Sequence, residues 1–343
     1  MPMQNDDRLT ALEHWLTPYS TTYGLDLGSL APASNDASFR RYFRLSATGR
    51  GSLIVMDAPP PQEDCRPFVH VAAVFEHAGA SVPHVLEQDL TQGFLLLTDL
   101  GHHTYLDQLS ADTAPALYGD ALDALIRIQQ ASRPGVLPPY DRALLTRELQ
   151  LFPDWYLTRH LQATLNDNEQ RQLHQVFETL LANNLSQPQV YVHRDYHSRN
   201  LMVLEGAVNP GILDFQDAVY GPITYDLVSL LRDAYIEWPE EQVLDWVIRY
   251  WEKARKAGLP VAADAGEFYR DFEWMGLQRF LKVLGIFARL YHRDGKARYL
   301  DDLPLVLRYT RHVAGRYSAF GPLLKLLDRL ERESTNAAAN APR

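Results

Sequence analysis

One stretch of this chain constrains its fold and chemistry more than any other. It reads His193-Arg194-Asp195-Tyr196-His197-Ser198-Arg199-Asn200, then apolar Leu201-Met202-Val203, then Ile212-Leu213-Asp214-Phe215-Gln216-Asp217. Turn residues lie between (Glu205-Gly206-Ala207 and Asn209-Pro210), so the apolar runs 201–204 and 211–213 read as a hairpin. A hairpin brings Asn200 and Asp214 to the same end. An amide oxygen and a carboxylate oxygen there suit Mg²⁺, which takes few protein carboxylates and keeps water and phosphate oxygens. Asp195 is a carboxylate placed to receive a hydroxyl proton. A base and two oxygen ligands for one cation are the parts that phosphoryl transfer requires. A lone H-x-D would be weak evidence. H-x-D-x-x-x-x-N joined to a strand-borne D-F is specific, and the competing reading is a polar surface loop.

With His197 two residues after Asp195, the loop has the form H-x-D-x-H-x-x-N. That form resembles the aminoglycoside phosphotransferase and choline kinase family. The likeness continues through Asp214-Phe215-Gln216-Asp217-Ala218, Gly221-Pro222 and Tyr225-Asp226-Leu227. It implies an α+β, bilobal, protein-kinase-like fold, with a small β-rich N-lobe and a larger helical C-lobe. It implies ATP and Mg²⁺ as cofactors, with Asp195 catalytic and Asn200 and Asp214 on the metal. Asp226 would hold the catalytic loop, and His193 would be structural. No segment resembles an activation loop ending in Ala-Pro-Glu, which points away from protein acceptors.

Residues 28–57 fit the β-rich lobe. Ser34–Phe39 is a loop of small and polar residues, and Ser38 in it is a candidate phosphate contact, although the loop lacks the G-x-G-x-x-G glycines. Arg40–Leu45 alternates as a strand, and Ser52–Met56 follows the turn at 48–51. Kinases place a Lys on the third strand, paired with a Glu on the next helix. This chain has no lysine before Lys253. The two positions fall near Met56 and Phe68, so both partners are replaced by apolar residues, whereas losing one alone would strand a charge. Arg40 or Arg44 is then the candidate phosphate cation, since Arg offers a forked donor; the other reading is a solvated edge strand. Phe94–Gly101 resembles the strand and hinge between lobes, with Thr98, Asp99 and Leu100 at the adenine; a plain core strand is the alternative.

At 343 residues with 46% hydrophobic composition, one large or two modest domains are expected. The expected division is 1–101 for the nucleotide lobe, 102–332 for the helical lobe, and 333–343 for a disordered tail. Helices are expected at 8–17, 112–130, 142–160, 168–182, 240–256, 267–291 and 303–317 from three- and four-residue apolar spacing. Strands first and helices afterwards indicate an α+β architecture. A net charge of −10 argues against nucleic acid or an anionic membrane as partner. A single cysteine, Cys65, suits a reducing cytoplasm. No signal peptide, membrane span or obligate protein partner is expected.

The acceptor pocket should lie beside Asp195. Asp154 and Trp155 in Phe152–Tyr156, Arg232 and Tyr235 in Leu230–Trp238, His197 and Asp217 are the candidate contacts. Trp155 and Tyr235 read equally as helix packing, and Asp217 as a turn cap. The segments Asp36–Arg44, Met56–Pro60, Leu151–Tyr156 and Ser229–Asp233 resemble bacterial amino-sugar kinases of cell-wall recycling. That likeness spans most of residues 8–317. It implies phosphorylation of the anomeric hydroxyl of N-acetylmuramate or N-acetylglucosamine. The rivals are a choline, homoserine, methylthioribose or aminoglycoside kinase, and a pseudokinase binding module.

Overall fold

The structure, a computed structural model, describes residues 7–34, 39–206 and 208–339. Ser38 and its loop neighbours lie outside the described residues. The chain divides into two compact units: one runs up to Thr113 and adds Asn200–Asp217, the other comprises Ala114–Arg199 and the chain from Ala218 on. The sequence boundary at residue 101 is thus a simple cut where the structure makes an interleaved one. The hairpin carrying Asn200 and Asp214 belongs with the first unit.

In the first unit, α1 (Asp7–Leu16) and the single turn α2 (Ser20–Tyr23) precede strands β1 (Leu25–Ser34), β2 (Arg41–Ala47) and β3 (Gly51–Asp57). Helix α3 (Arg66–His77), strands β4 (Val85–Asp89) and β5 (Phe94–Thr98), and the turn α4 (Tyr105–Gln108) follow. The antiparallel sheet has the order β1-β2-β3-β5-β4. Strict alternation in β2 sends Phe43, Leu45 and Ala47 into a core with Leu53, Val55, Phe94 and Leu96. Leu12 and Leu16 of α1 close that core. Strand β1 is not legible as a strand because Gly28 and Pro32 interrupt it. It survives as an edge strand with register shifts between Asp26 and Ala31 and again after Pro32, where a missing ladder donor is tolerated.

Asp57, at the end of β3, is fully buried and would be costly as a lone charge. Two guanidiniums answer it: Arg41 donates at 2.6 Å and 2.9 Å, and Arg8 of α1 donates from the other side. This pair of contacts ties α1 to the sheet.

Of the four short strands that follow, β6 (Gln189–Val192) pairs with β9 (Val219–Pro222) in the second unit, and β7 (Leu201–Met202) pairs with β8 (Gly211–Ile212) in the first. The rest of the second unit is helical. It contains α5 (Ala114–Gln130), α6 (Arg142–Leu151), α7 (Asp167–Ser186), α8 (Tyr225–Leu231) and α9 (Glu240–Lys256). Then come α10 (Ala265–Asp294), α11 (Leu303–Arg316) and α12 (Gly321–Ala339). The last helix runs through Ala339, past residue 332 where the sequence reading ends order.

The helix expected over 142–160 is not uniform. At Phe152 it widens into π-helical turns through His160, beginning where Pro153 lacks an amide donor. Phe152, Tyr156 and His160 stack along it with ring centroids 5.6 Å and 5.7 Å apart. Helix α10 passes so close that a Cβ on Gly285 would fall on the Leu151 carbonyl. Gly285→Ala should therefore destabilise the protein by roughly 1–3 kcal/mol, as overpacking against backbone does. A denaturant midpoint unchanged from the parent would show that the contact can relax.

Candidate active site

In the first unit, Asn200 and Asp214 meet at the open end of the β7–β8 hairpin. The Leu213 amide donates to the Asn200 carbonyl at 2.9 Å, and the two side chains touch at 3.4 Å. Gln216 Nε2 donates to the other Asp214 oxygen at 2.8 Å. Asp214 has φ +61°, a left-handed conformation uncommon outside glycine. The next residue anchors it. Phe215 is fully buried against Phe68 and Phe75 of α3, with centroids 4.8 Å and 6.0 Å away. The Asp214 carboxylate is exposed, and turning the Asn200 amide over would place its oxygen beside it. One carboxylate and one amide oxygen fit a hard divalent cation that keeps phosphate and water ligands.

Met56 and Phe68 are both buried. The positions expected for a Lys–Glu pair therefore hold apolar packing, and Phe68 uses it to seat Phe215 behind Asp214. Arg44 does not present a spare guanidinium for phosphate. It binds Asp99 at 2.6 Å and 2.9 Å, the Gly101 carbonyl at 2.7 Å and His102 at 2.7 Å. Ser52 and the Gly101 amide complete the shell of Asp99. Burial opposes ionisation of Asp99, but these donors hold its carboxyl below the ordinary carboxylate range. The Asp99 side chain is thus a brace for its own segment. Among the described residues, no backbone–backbone hydrogen bond outside the sheet ladder engages Asp99 or Leu100. Thr98 instead exchanges bonds with His84, its amide donating at 3.0 Å and its hydroxyl accepting at 2.8 Å. Arg40 forms a sheltered ion pair with Glu63, 3.0 Å, just before α3.

In the second unit, Asp226 accepts the His193 amide at 2.6 Å and the Arg194 amide at 3.0 Å. His193 is buried, and its Nδ1 accepts the Asp195 amide at 3.2 Å. Arg194 sits at φ +79°, so the turn before Asp195 is held in a sparsely populated conformation. The Arg194 side chain reaches Glu148 of α6 at 2.6 Å, and Lys282 of α10 reaches the same carboxylate at 3.0 Å. Tyr140 and Gln278 donate to its second oxygen, and Lys282 also donates to Tyr225 at 2.8 Å. Burial pushes the Asp195 carboxyl up, but Lys282, His197, Arg279 and Arg194 outweigh it and bring the pKa down to about 2.

Around Asp195 the acceptor candidates separate. His197 and Tyr235 are half-buried and meet edge to face at 5.3 Å. Burial lowers the His197 pKa, so the ring is neutral near pH 7. Arg199 stacks over Tyr235 at 3.5 Å, and Asp233 accepts the Ser198 and Tyr235 amides at 3.0 Å and 3.1 Å. Arg232, by contrast, is buried and paired with Glu240. Asp154 is exposed on the π-helical turns and bonded to Gln150 at 2.9 Å, and Trp155 beside it is half-buried. Asp217 belongs to the first unit with Asp214 and is exposed.

Residues 29–259 match the phosphotransferase enzyme family. This chain belongs to that family. As a phosphotransferase it has close relatives. It is 50% identical over 332 residues to an N-acetylmuramate/N-acetylglucosamine kinase of Pseudomonas aeruginosa, covering 95% of this chain and 97% of the relative. It is 50% identical over 324 residues to a Neisseria meningitidis protein of the same name, covering 93% and 95%. Its fold is similar to an aminoglycoside phosphotransferase in complex with gentamicin (TM-score 0.59, 14% identity, 93% and 99% coverage). It is also similar to an ethanolamine kinase of Plasmodium vivax (TM-score 0.63, 9% identity, 90% of each chain). The α+β, kinase-like fold of the phosphotransferase is thereby established. No helix among the described residues is long and apolar enough to cross a membrane.

Sequence reasoning missed Glu148, Arg279 and Lys282. The signal was present: two cations interrupt the apolar run Met275–Ala288 and could not both be solvated on a buried helix. Lys282→Met should leave the Glu148 and Asp195 charges undercompensated. A loss of about 3–5 kcal/mol in stability is expected from breaking a buried pair. A depressed carboxyl pKa favours the ionised folded state above the unfolded value, and that advantage is lost as pH falls through the folded value. Without Lys282 the Asp195 pKa rises, so the acid limb of turnover should move to higher pH. An unchanged pH–rate profile would remove Lys282 from the electrostatics of Asp195.

Proposed function

We propose that this phosphotransferase is an ATP- and Mg²⁺-dependent sugar kinase of the cytoplasm. It transfers the γ-phosphoryl group to the anomeric hydroxyl of N-acetylmuramate or N-acetylglucosamine, giving a sugar 1-phosphate in cell-wall recycling. The observation that carries the reading is half identity, over nearly the whole chain, to relatives that bear those substrates in their names. The site's charge supports it. Asp195 stands among Lys282, Arg279 and Arg194, surroundings hostile to a cationic acceptor such as choline or an aminoglycoside. A pseudokinase would have no use for a carboxylate held ionised at Asp195, nor for an intact Asn200 and Asp214.

Each residue then has a task. Asp195 accepts a hydrogen bond from the anomeric hydroxyl and takes its proton late, as a weak base suffices in a loose transition state. Asp226 and His193 fix the loop that carries it. Asn200 and Asp214 would hold Mg²⁺, which when bound neutralises phosphate charge and fixes the γ-phosphoryl group. The backbone at Asp99 and Leu100 would take the adenine edge. Arg40, braced by Glu63, stands in for the Lys–Glu pair and would reach the triphosphate, while the Ser38 loop would cover it. His197 and Tyr235 would contact the sugar, with Trp155, Asp154 and Asp217 at greater remove.

Two tests follow. Asp195→Asn should lower turnover roughly 10²- to 10⁴-fold while sugar binding by calorimetry persists. Near-normal turnover, or a ³¹P NMR product without phosphate at the anomeric oxygen, would overturn the reaction assigned. Arg40→Ala should raise the KM for ATP about tenfold or more, the weight of a charge-assisted hydrogen bond, and leave the sugar KM in place. Unaltered nucleotide kinetics would exclude Arg40 as the phosphate cation.

A further inference from the structure

Among the described residues of the second unit, three Lys and Arg side chains are buried: Arg232, Arg279 and Lys282. Arg232 pairs with Glu240 and Lys282 with Glu148. Arg279 is 4% exposed, yet no described residue accepts a hydrogen bond from it or forms an ion pair with it. It shares the field of the Asp195 and Asp226 carboxylates without bonding to either, and a buried guanidinium with no direct acceptor is costly. Its retention points to an anion that arrives with a ligand.

Its place on α10 says which ligand. Successive residues turn by about 100° on a helix, so Arg279 lies between Lys282 on one side and Phe287 on the other of one face. Lys282 leads to the Glu148 and Arg194 cluster behind Asp195. Phe287 packs on Tyr235 at 6.2 Å, and Tyr235 meets His197 at 5.3 Å. Arg279 therefore faces the ground between Asp195 and the His197–Tyr235 wall. Its positive field reaches Asp195, His197 and Tyr235. His197 leaves its buried Nδ1 without a partner at the same wall, a second vacancy for a polar ligand atom.

We infer that Arg279 is the residue that recognises the carboxylate of the lactyl ether distinguishing N-acetylmuramate from N-acetylglucosamine. This rests on the acceptor reading above. In a pyranose, C1 and C3 are separated by one ring carbon, so a lactyl group on O3 hangs beside the anomeric oxygen presented to Asp195. A guanidinium at that flank meets the carboxylate with a forked pair of donors. The neutral sugar leaves the same guanidinium without that partner, which permits both acceptors and favours the acidic one.

The test compares both sugars, and the methyl ester of N-acetylmuramate, as acceptors for the full chain. For the parent protein, masking the carboxylate should lower kcat/KM roughly 10- to 100-fold, the loss that follows when a charged hydrogen-bonded pair is broken. In Arg279→Gln, kcat/KM for N-acetylmuramate should fall at least tenfold further than for N-acetylglucosamine, chiefly through KM, and the ester should lose its disadvantage. Arg279→Lys should recover part of the preference. Equal losses for both sugars would overturn the inference and make Arg279 an electrostatic support of Asp195. So would a methyl ester used as well as the free acid by the parent protein, a result that needs no variant to fold. A parent protein that phosphorylates neither sugar would overturn the acceptor reading itself, and the inference with it.

Discussion

The second unit is organised around one buried carboxylate. Glu148 on α6 gathers Arg194 from the catalytic loop, Lys282 and Gln278 from α10, and Tyr140 from the segment before α6. Burial raises its pKa, but Lys282 and Arg194 more than reverse that and keep it ionised. Such a cluster contributes little net stability compared with apolar packing, because desolvation offsets most of the Coulomb gain. It contributes geometry and field. Arg194 is pinned immediately before Asp195, and the surplus positive charge of the cluster keeps the neighbouring carboxylate ionised. Asp226 completes the arrangement from α8 by gripping the loop backbone. Its own carboxyl is pushed up to about 7, by burial first and by the Asp195 charge, against the two amides it accepts.

The first unit solves a parallel problem with apolar contacts. A Lys–Glu pair between strand and helix would couple helix position to phosphate binding through charge. Here Met56 and Phe68 are packed instead, and Phe68 with Phe75 encloses Phe215. Helix α3 is thereby coupled to Asp214 by shape, which salt does not screen. Arg40 and Glu63 form their ion pair away from strand β3.

How much of this was readable varied with the kind of signal. Local patterns with end markers were readable. Helix α9 begins after Pro239 at Glu240 and ends at Lys256, where its apolar stripe stops, and the expected and observed spans coincide. The hairpin joining Asn200 to Asp214 was readable for the same reason, since its turn residues and apolar runs are contiguous. Strand β1 was not, because its Gly and Pro argue against a strand unless one knows that it lies at an edge. Nor could alternation show what Arg44 touches. Its partner Asp99 is 55 residues distant in sequence, and only folding brings them together. The partition of the chain failed as a linear cut because a hairpin embedded in the helical half packs with the sheet-bearing unit.

Helix α10 carries the consequence of these arrangements furthest. Its Gly276 and Gly285 allow close approach by neighbouring side chains and backbone, so its position is tightly fixed. A helix so fixed can hold charges where a mobile loop could not. Lys282 is ion-paired with Glu148, whereas Arg279 acts on Asp195 through its field, without a direct ion pair. The two cations lie within one turn of each other, so the same rigid element supports the ionised Asp195 with both charges and leaves one guanidinium without a direct ion pair. A mismatch in charge on an otherwise compensated buried surface is the physical form that selectivity for an acidic ligand takes, because a neutral ligand cannot relieve it.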